Sequence, residues 1–289
     1  MKGRLVSIFR SSRLVRISAL SFTLCFGNSL PCHAEQHPVT PAEEIEIPVR
    51  PLPFILRGFL RRPEDAGRSP AVVLLPDCGE YARPLDEEWG ARISSWGYVT
   101  LTIDGFGPRG IKHCGQSVAS DPSELAFDAY RGLNLLIQES FVDPKRVAVV
   151  GFAWGAWETL AAVERGAIER TSEHKFRAAA AFYPLCASFK GVMTVPTLIL
   201  IGERDDREAA DACRKMVAGD DDMGISRQKN EGAPVRLVVY PEAYFAFDVP
   251  GLKKPSAYRG RHIEFNKSAV DRSSEELRKF LISTIGGRE

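Results

Sequence analysis

Residues Val147 to Trp157, VAVVGFAWGAW, run an apolar strand through the turn Gly-Phe-Ala-Trp-Gly into a helix, and few folds other than a layered α/β sheet can hold such a junction. Gly151 and Gly155 are spaced to let strand and helix approach closely. The pattern has the form of a nucleophile elbow, in which the central residue stands at the tip of a strained turn. That residue is normally Ser, Cys or Asp, whereas here it is Ala153, whose methyl group cannot attack a carbonyl.

The chain around this junction alternates apolar strand-like runs with amphipathic stretches. Strands are expected at 54–60, 71–75, 98–103, 146–150, 178–183, 197–201 and 235–240, most of them continuously apolar as buried parallel strands are. Helices are expected at 87–96, 123–139, 155–165, 209–218 and 273–285, with Asp121-Pro122 as a start signal for the second. Regular βα alternation predicts a mostly parallel, doubly wound central sheet with helices on both faces, in one domain over 54–286 with no large cap domain. Residues 35–53, acidic and Pro-containing, read as an N-terminal lead-in.

The first 34 residues contain five basic and no acidic side chains, then the apolar run Ile17 to Phe26 and the ending Cys32-His33-Ala34. This is the pattern of a secretory signal peptide, cleaved near Glu35, with an uncleaved anchor as the alternative. The apolar run is short for a membrane span, which takes about 20 residues, and the mature chain has no other candidate. Export to a periplasm or the extracellular space is therefore expected. Without those five basic residues, 33 remain against 37 acidic ones, a net charge of −4 that disfavours nucleic acid as a partner. Four cysteines stay in the mature chain, an even number suited to disulfides in an oxidising compartment. The alternation puts Cys78 and Cys114 on neighbouring loops and Cys186 near Cys213, which favours those two pairs over the alternative of four buried thiols.

In a doubly wound sheet, ligands bind at the carboxyl ends of the strands. The loops expected there are Pro76-Asp77-Cys78-Gly79, Asp104 to Gly110, the elbow, Gly202 to Asp206 and Tyr240 to Asp248. Together LLPDCG, WGARISSWGYVTLTIDGFGPRG, FVDPKRVAVVGFAWGAW, LILIGERDD and YPEAYFAFDVP resemble the dienelactone hydrolase family of α/β-hydrolases, over roughly Phe54 to Leu281. The resemblance implies a Cys or Ser at the elbow, an Asp after a later strand, a His after the last strand, and backbone amides forming an oxyanion hole. Transferred to this chain, the nucleophile position falls on Ala153, the histidine position on Phe245 and the acid on Asp205, with Asp206 as substitute. The oxyanion donors would be the amides of Cys78 and Trp154. Many relatives carry His-Gly where this chain has Pro76-Asp77, so the shape of that loop is open.

Each remaining candidate has two readings. Asp205 is a remnant acid or a cap for the following helix. Arg109 could clamp a ligand carboxylate or form a loop salt bridge. Tyr244, Phe245, Phe247, Trp154 and Trp157 could line an apolar pocket or fill space. Cys78 could be a relocated nucleophile unless a disulfide consumes it. Among the histidines, His113 and His262 could approach the rim, His37 and His174 are surface candidates, and no spacing suggests a metal site. The acidic run Asp220-Asp221-Asp222 reads as a solvated excursion. No cofactor is implied. The expected function is therefore a pseudoenzyme, binding a small molecule in the crevice or a protein partner of unknown kind. The alternative is an ester or lactone hydrolase working through relocated residues such as His262 or Cys78.

Overall fold

The computed structural model describes residues 40–49, 54–64, 67–79, 81–112, 122–206, 209–219, 231–252, 255–258 and 261–287. The chain divides into Met1–Ala34 and Glu35–Glu289. The first unit, and with it the expected leader, lies outside the described residues, as do His37, His113, Cys114 and Asp220-Asp221-Asp222.

Eight strands form one sheet in the order β1-β2-β4-β3-β5-β6-β7-β8. They are β1 (Glu43–Val49), β2 (Phe54–Arg61), β3 (Ser69–Leu75), β4 (Val99–Asp104), β5 (Val142–Phe152), β6 (Ala178–Phe182), β7 (Thr197–Gly202) and β8 (Val235–Tyr240). From β4 to β8 every neighbouring pair is parallel, while β1–β2 and β2–β4 are antiparallel. β3, β4, β6 and β7 are buried along their whole length; β3, β6 and β7 are apolar or small on both faces and so lack the alternation of half-exposed strands, while β4 alternates aliphatic residues with buried Thr100, Thr102 and Asp104. A hairpin of β9 (Ser256–Tyr258) and β10 (Arg261–Ile263) stands apart from the main sheet.

Two features differ from the expectation. Residues 43–49 of the lead-in are strand β1, pairing along β2 from Glu43 opposite Leu60 to Val49 opposite Phe54. Ile47 and Val49 face inward between exposed Glu46 and Pro48. An edge strand needs only one apolar face and tolerates Pro, so its glutamates resemble those of a solvated leader. The last helix begins at Lys267 rather than near residue 273, because Asn266 caps it: Asn266 Oδ1 accepts from the Ala269 amide at 3.0 Å.

The helices are α1 (Ala82–Leu85), which continues through a π-helical turn (Asp86–Gly90) into α2 (Ala91–Ser95), then α3 (Pro122–Leu136), α4 (Trp154–Val163), α5 (Ala167–Thr171), α6 (Ala210–Ala218) and α7 (Lys267–Ile285). They cover both faces of the sheet. Chain order moves outward from β3 to β4 and then returns across it to β5, so the topological switch point lies between β3 and β5. The crevice at their carboxyl ends, beside Asp77 and Ala153, is where this architecture places a ligand.

The antiparallel edge is tied to this frame by a buried ion pair. Arg61 of β2 donates through Nε and Nη2 to Asp86 in the π-helical turn, with Nη2 2.6 Å from Oδ2. Both side chains are almost wholly buried. Removing one partner leaves the other charge without compensation in a poorly solvated place, which costs about 3–5 kcal/mol. Asp86→Ala should therefore lower unfolding stability by that amount in urea denaturation. Asp271→Ala, which breaks the exposed Lys267–Asp271 pair, should change it by less than about 0.5 kcal/mol.

Candidate functional site

β5 runs directly into the elbow. Ala153 has φ 53° and ψ −109°, and α4 starts at the next residue. The turn is fixed on both sides: the Ala153 amide donates to Phe182 O at 3.1 Å, and Ala153 O accepts from the amides of Ala156 and Trp157. A Cβ on Gly151 would stand 2.0 Å from Gly155 O, and one on Gly155 would stand 2.1 Å from Leu75 O. Strand and helix thus cross at a distance that glycine alone permits. A non-glycine residue in such a conformation costs about 1–3 kcal/mol, a strain retained here under a methyl side chain. Ala153→Gly should consequently stabilise the protein by about 1 kcal/mol in chemical denaturation, against the usual Ala→Gly loss of about 0.5–1 kcal/mol.

The two amides expected as oxyanion donors do converge, but on an acceptor from the protein itself. Asp77 Oδ1 accepts from the Cys78 amide at 2.8 Å and from the Trp154 amide at 3.4 Å. The carboxylate sits at the amino end of α4, where exposed N–H groups favour negative charge. Reading the sequence by resemblance assigned the amides and missed their occupant. The available signal was an Asp beginning the loop after β3, since Asp readily bonds nearby backbone N–H groups. Cys78 is buried and disulfide-bonded, so its thiol is consumed. Its expected partner Cys114 lies outside the described residues. The Cys186–Cys213 bond forms as expected and joins the segment after β6 to α6.

Gly202, at the end of β7, has no room for a side chain, because a Cβ would meet Ala243 O at 2.2 Å. The Arg204 amide also donates to Ala243 O, so the loop carrying Asp205 is laced to the one carrying Phe245. Asp205 is buried, and it is not the cap of α6: that position is Ala209, which makes no side-chain cap. At the histidine position, the Phe245 ring packs edge-on against Tyr183 with centroids 4.9 Å apart. Tyr183 begins a run of rings that takes in Phe247, Phe152, Phe182 and Trp89.

Beside these rings lies a cavity of about 240 Å³ lined by Trp89, Phe152, Tyr183 and Phe245, by aliphatic residues including Leu85 and Ile263, and by Asp77, Glu88 and Asp248. Asp248 is buried, and its two oxygens accept from Trp89 Nε1 and Tyr183 Oη, each at 2.7 Å. Burial pushes the Asp248 carboxyl above its ordinary pKa, opposed by these two hydrogen bonds. Burial and the neighbouring Asp248 likewise hold the Tyr183 phenol far above its usual value. Tyr183 lies at φ 42°, a second strained non-glycine residue at the site. Trp89, Tyr183 and Asp248 were not singled out in the sequence, because each is an ordinary core or loop residue until the fold joins them.

Three expected ligand contacts are placed elsewhere. Arg109 is a salt-bridge residue and not a ligand clamp: Nη2 lies 3.0 Å from Asp128 Oδ1, Nη1 meets Asp128 Oδ2, and the pair is buried. Tyr244 stacks on His262 at 3.8 Å on the outer side of the loop. The His262 ring meets Glu264 Oε2 at 2.9 Å, and its backbone N–H donates to Asp206. None of the three lines the cavity. His174 lies at a separate surface depression.

Behind the elbow, Glu158 of α4 is wholly buried, and its Oε1 has no hydrogen-bond partner. Burial, followed by repulsion from Asp128, holds its carboxyl well above the ordinary value of 4.5. Because the folded-state pKa is raised, its ionisation opposes folding: the chain keeps its stability below the unfolded-state pKa and loses it as pH rises toward the folded-state one. Glu158→Gln should therefore gain stability relative to the parent as pH rises above 4.5, by at most about 1.4 kcal/mol per pH unit, in urea titrations at successive pH values.

Comparison with known proteins identifies the family and the fold. The model of the dienelactone hydrolase family matches residues 56–284. A lipase, Lipase 1 of Moraxella sp. (strain TA144), is 28% identical over 160 residues, 53% of this chain and 44% of the lipase. The match thus spans less than half the length of that curated relative. A structure from Klebsiella pneumoniae subsp. pneumoniae MGH 78578, ascribed to a dienelactone hydrolase, superposes with TM-score 0.64 at 18% identity over 83% of this chain and 97% of that one. An esterase of the Planctomycetes species Thermogutta terrifontis superposes with TM-score 0.60 at 17% identity, over 84% and 92%. At these identities the structural likeness is one of fold: the chain has the α/β-hydrolase fold. No helix among the described residues is long and apolar enough to cross a membrane.

Proposed function

Since the chain belongs to the dienelactone hydrolase family, we propose that it is an exported, non-catalytic member that uses the crevice between β3 and β5 to bind a small molecule. One observation carries the reading. Ala153 occupies the strained tip where the family's nucleophile is expected, while Asp77 Oδ1 takes both amides that would stabilise an oxyanion. Losing a triad member leaves only about 10³–10⁴-fold catalysis over water, which comes from the oxyanion hole and substrate binding. Here the hole itself holds a carboxylate, so even that remainder is opposed. Against the alternative hydrolase with relocated residues stand two observations: Cys78 is disulfide-bonded, and the His262 ring, which meets Glu264 and Tyr244, does not line the cavity. Export is supported by the signal-like first 34 residues and by the Cys186–Cys213 disulfide, a bond characteristic of oxidising compartments.

The test is p-nitrophenyl acetate hydrolysis by the purified protein and two variants. The parent should stay at background and take no label from a fluorophosphonate probe. Ala153→Ser with Phe245→His should gain little, because Asp77 still fills the hole. Adding Asp77→Ala to that pair should raise kcat/KM by at least about a hundredfold, the scale of an oxyanion-hole donor. Turnover by the parent well above background would overturn the reading.

A further inference from the structure

We propose that the cavity beside Asp77 takes an organic ammonium ion with a small apolar body. This rests on the binding role proposed above and names the class of ligand. The cavity wall carries three carboxylates, Asp77, Glu88 and Asp248, and among the described lining residues no Lys, Arg or His. Glu88 is paired with Arg92, so Asp77 and Asp248 carry the charge complementarity that selects against anions, carboxylate ligands included.

Trp89, Phe152, Tyr183 and Phe245 complete the wall. Aromatic faces attract cations, more strongly where water is excluded. Trp89 already takes one: the Arg92 guanidinium, the partner of Glu88, lies 4.8 Å from its ring centroid. The carboxylates are held in place before any ligand arrives. Asp77 is fixed by two amides through one oxygen, and Asp248 by an indole N–H, which can only donate, and a phenol. Such fixed acceptors need little reorganisation when a cation enters. A cavity of about 240 Å³ has room for a single-ring amine.

The experiment is isothermal titration of the full chain with benzyltrimethylammonium, benzyl alcohol and phenylacetate, which share a ring and differ in charge. The ammonium should bind, with phenylacetate at least about tenfold weaker. Asp77→Asn should weaken the ammonium about tenfold while leaving benzyl alcohol unchanged, a difference that general loosening of the site would not produce. Asp248→Asn, checked for folding by circular dichroism, should act in the same direction. Phenylacetate or benzyl alcohol binding as tightly as the ammonium would overturn the proposal, as would equal ammonium affinity in parent and Asp77→Asn. Absence of ammonium binding up to about 1 mM would overturn it too. p-Nitrophenyl acetate turnover measured on the same samples separates the two readings. Turnover with ammonium preference overturns the non-catalytic reading alone, and no binding without turnover overturns this inference alone.

Discussion

The crossing of β5 and α4 at Gly151 and Gly155 is the constraint on which the site depends. Neither position has space for even a Cβ, since the obstructing atoms are backbone, Gly155 O in one case and Leu75 O in the other. Leu75 ends β3 and pairs with Gly151 of β5, so the crossing fixes how closely α4 lies on both strands at the switch point. Once β3, β5 and α4 meet there, Asp77 at the end of β3 and the Trp154 amide at the start of α4 come within a hydrogen bond of one another. Ala153 stands at this junction with a positive φ of 53°.

The parts of the fold legible in the sequence are those in which local pattern and tertiary environment agree. β3, β6 and β7 are buried on both faces, and their nearly continuous apolar runs announce it. β1 was not legible because an edge strand has one apolar face, and three glutamates on the others look like solvent-exposed chain. At the site, the family resemblance supplied the positions Ala153, Phe245 and Asp205 and the two amides, and those amides, of Cys78 and Trp154, meet at Asp77 Oδ1. Their relationships did not follow. No spacing rule joins Trp89 to Asp248, which are 159 residues apart, or shows that Arg109 turns inward to Asp128 and away from the crevice. Arg109 illustrates the limit, for a loop guanidinium near a crevice has the same sequence whether it meets a ligand or a buried aspartate. The glycines around it offered no way to decide.

The site's polar groups lie beside the positions that the family resemblance gives to a nucleophile and a base. At those positions stand a methyl and a phenyl, and the rings around Phe245 are packed to ordinary aromatic distances. The polar side chains of the crevice include Asp77, Tyr183 and Asp248, anchored by hydrogen bonds of 2.7–2.8 Å and, at Asp77, by a longer one of 3.4 Å from the Trp154 amide. A buried carboxylate such as Asp248 is tolerated because both oxygens meet donors, which offsets part of its desolvation. Tyr183 reaches it from a strained backbone at φ 42°, so the contact is maintained against a local conformational cost.

The sign of the field follows from the same arrangement. In an oxyanion hole, two backbone N–H groups and the amino end of a helix present positive potential to a substrate oxygen as charge develops on it. When a resident carboxylate takes those donors, their dipoles are spent on holding a permanent negative charge in position, and the group facing the cavity is the carboxylate itself. The backbone that would favour an anion now fixes an anion of its own. An entering ligand therefore meets the opposite polarity, with no change in the path of the chain. Asp248 lines the same cavity, with its oxygens held by Trp89 and Tyr183. One side chain in the loop after β3 can thus invert the charge preference of a crevice built on the α/β-hydrolase fold.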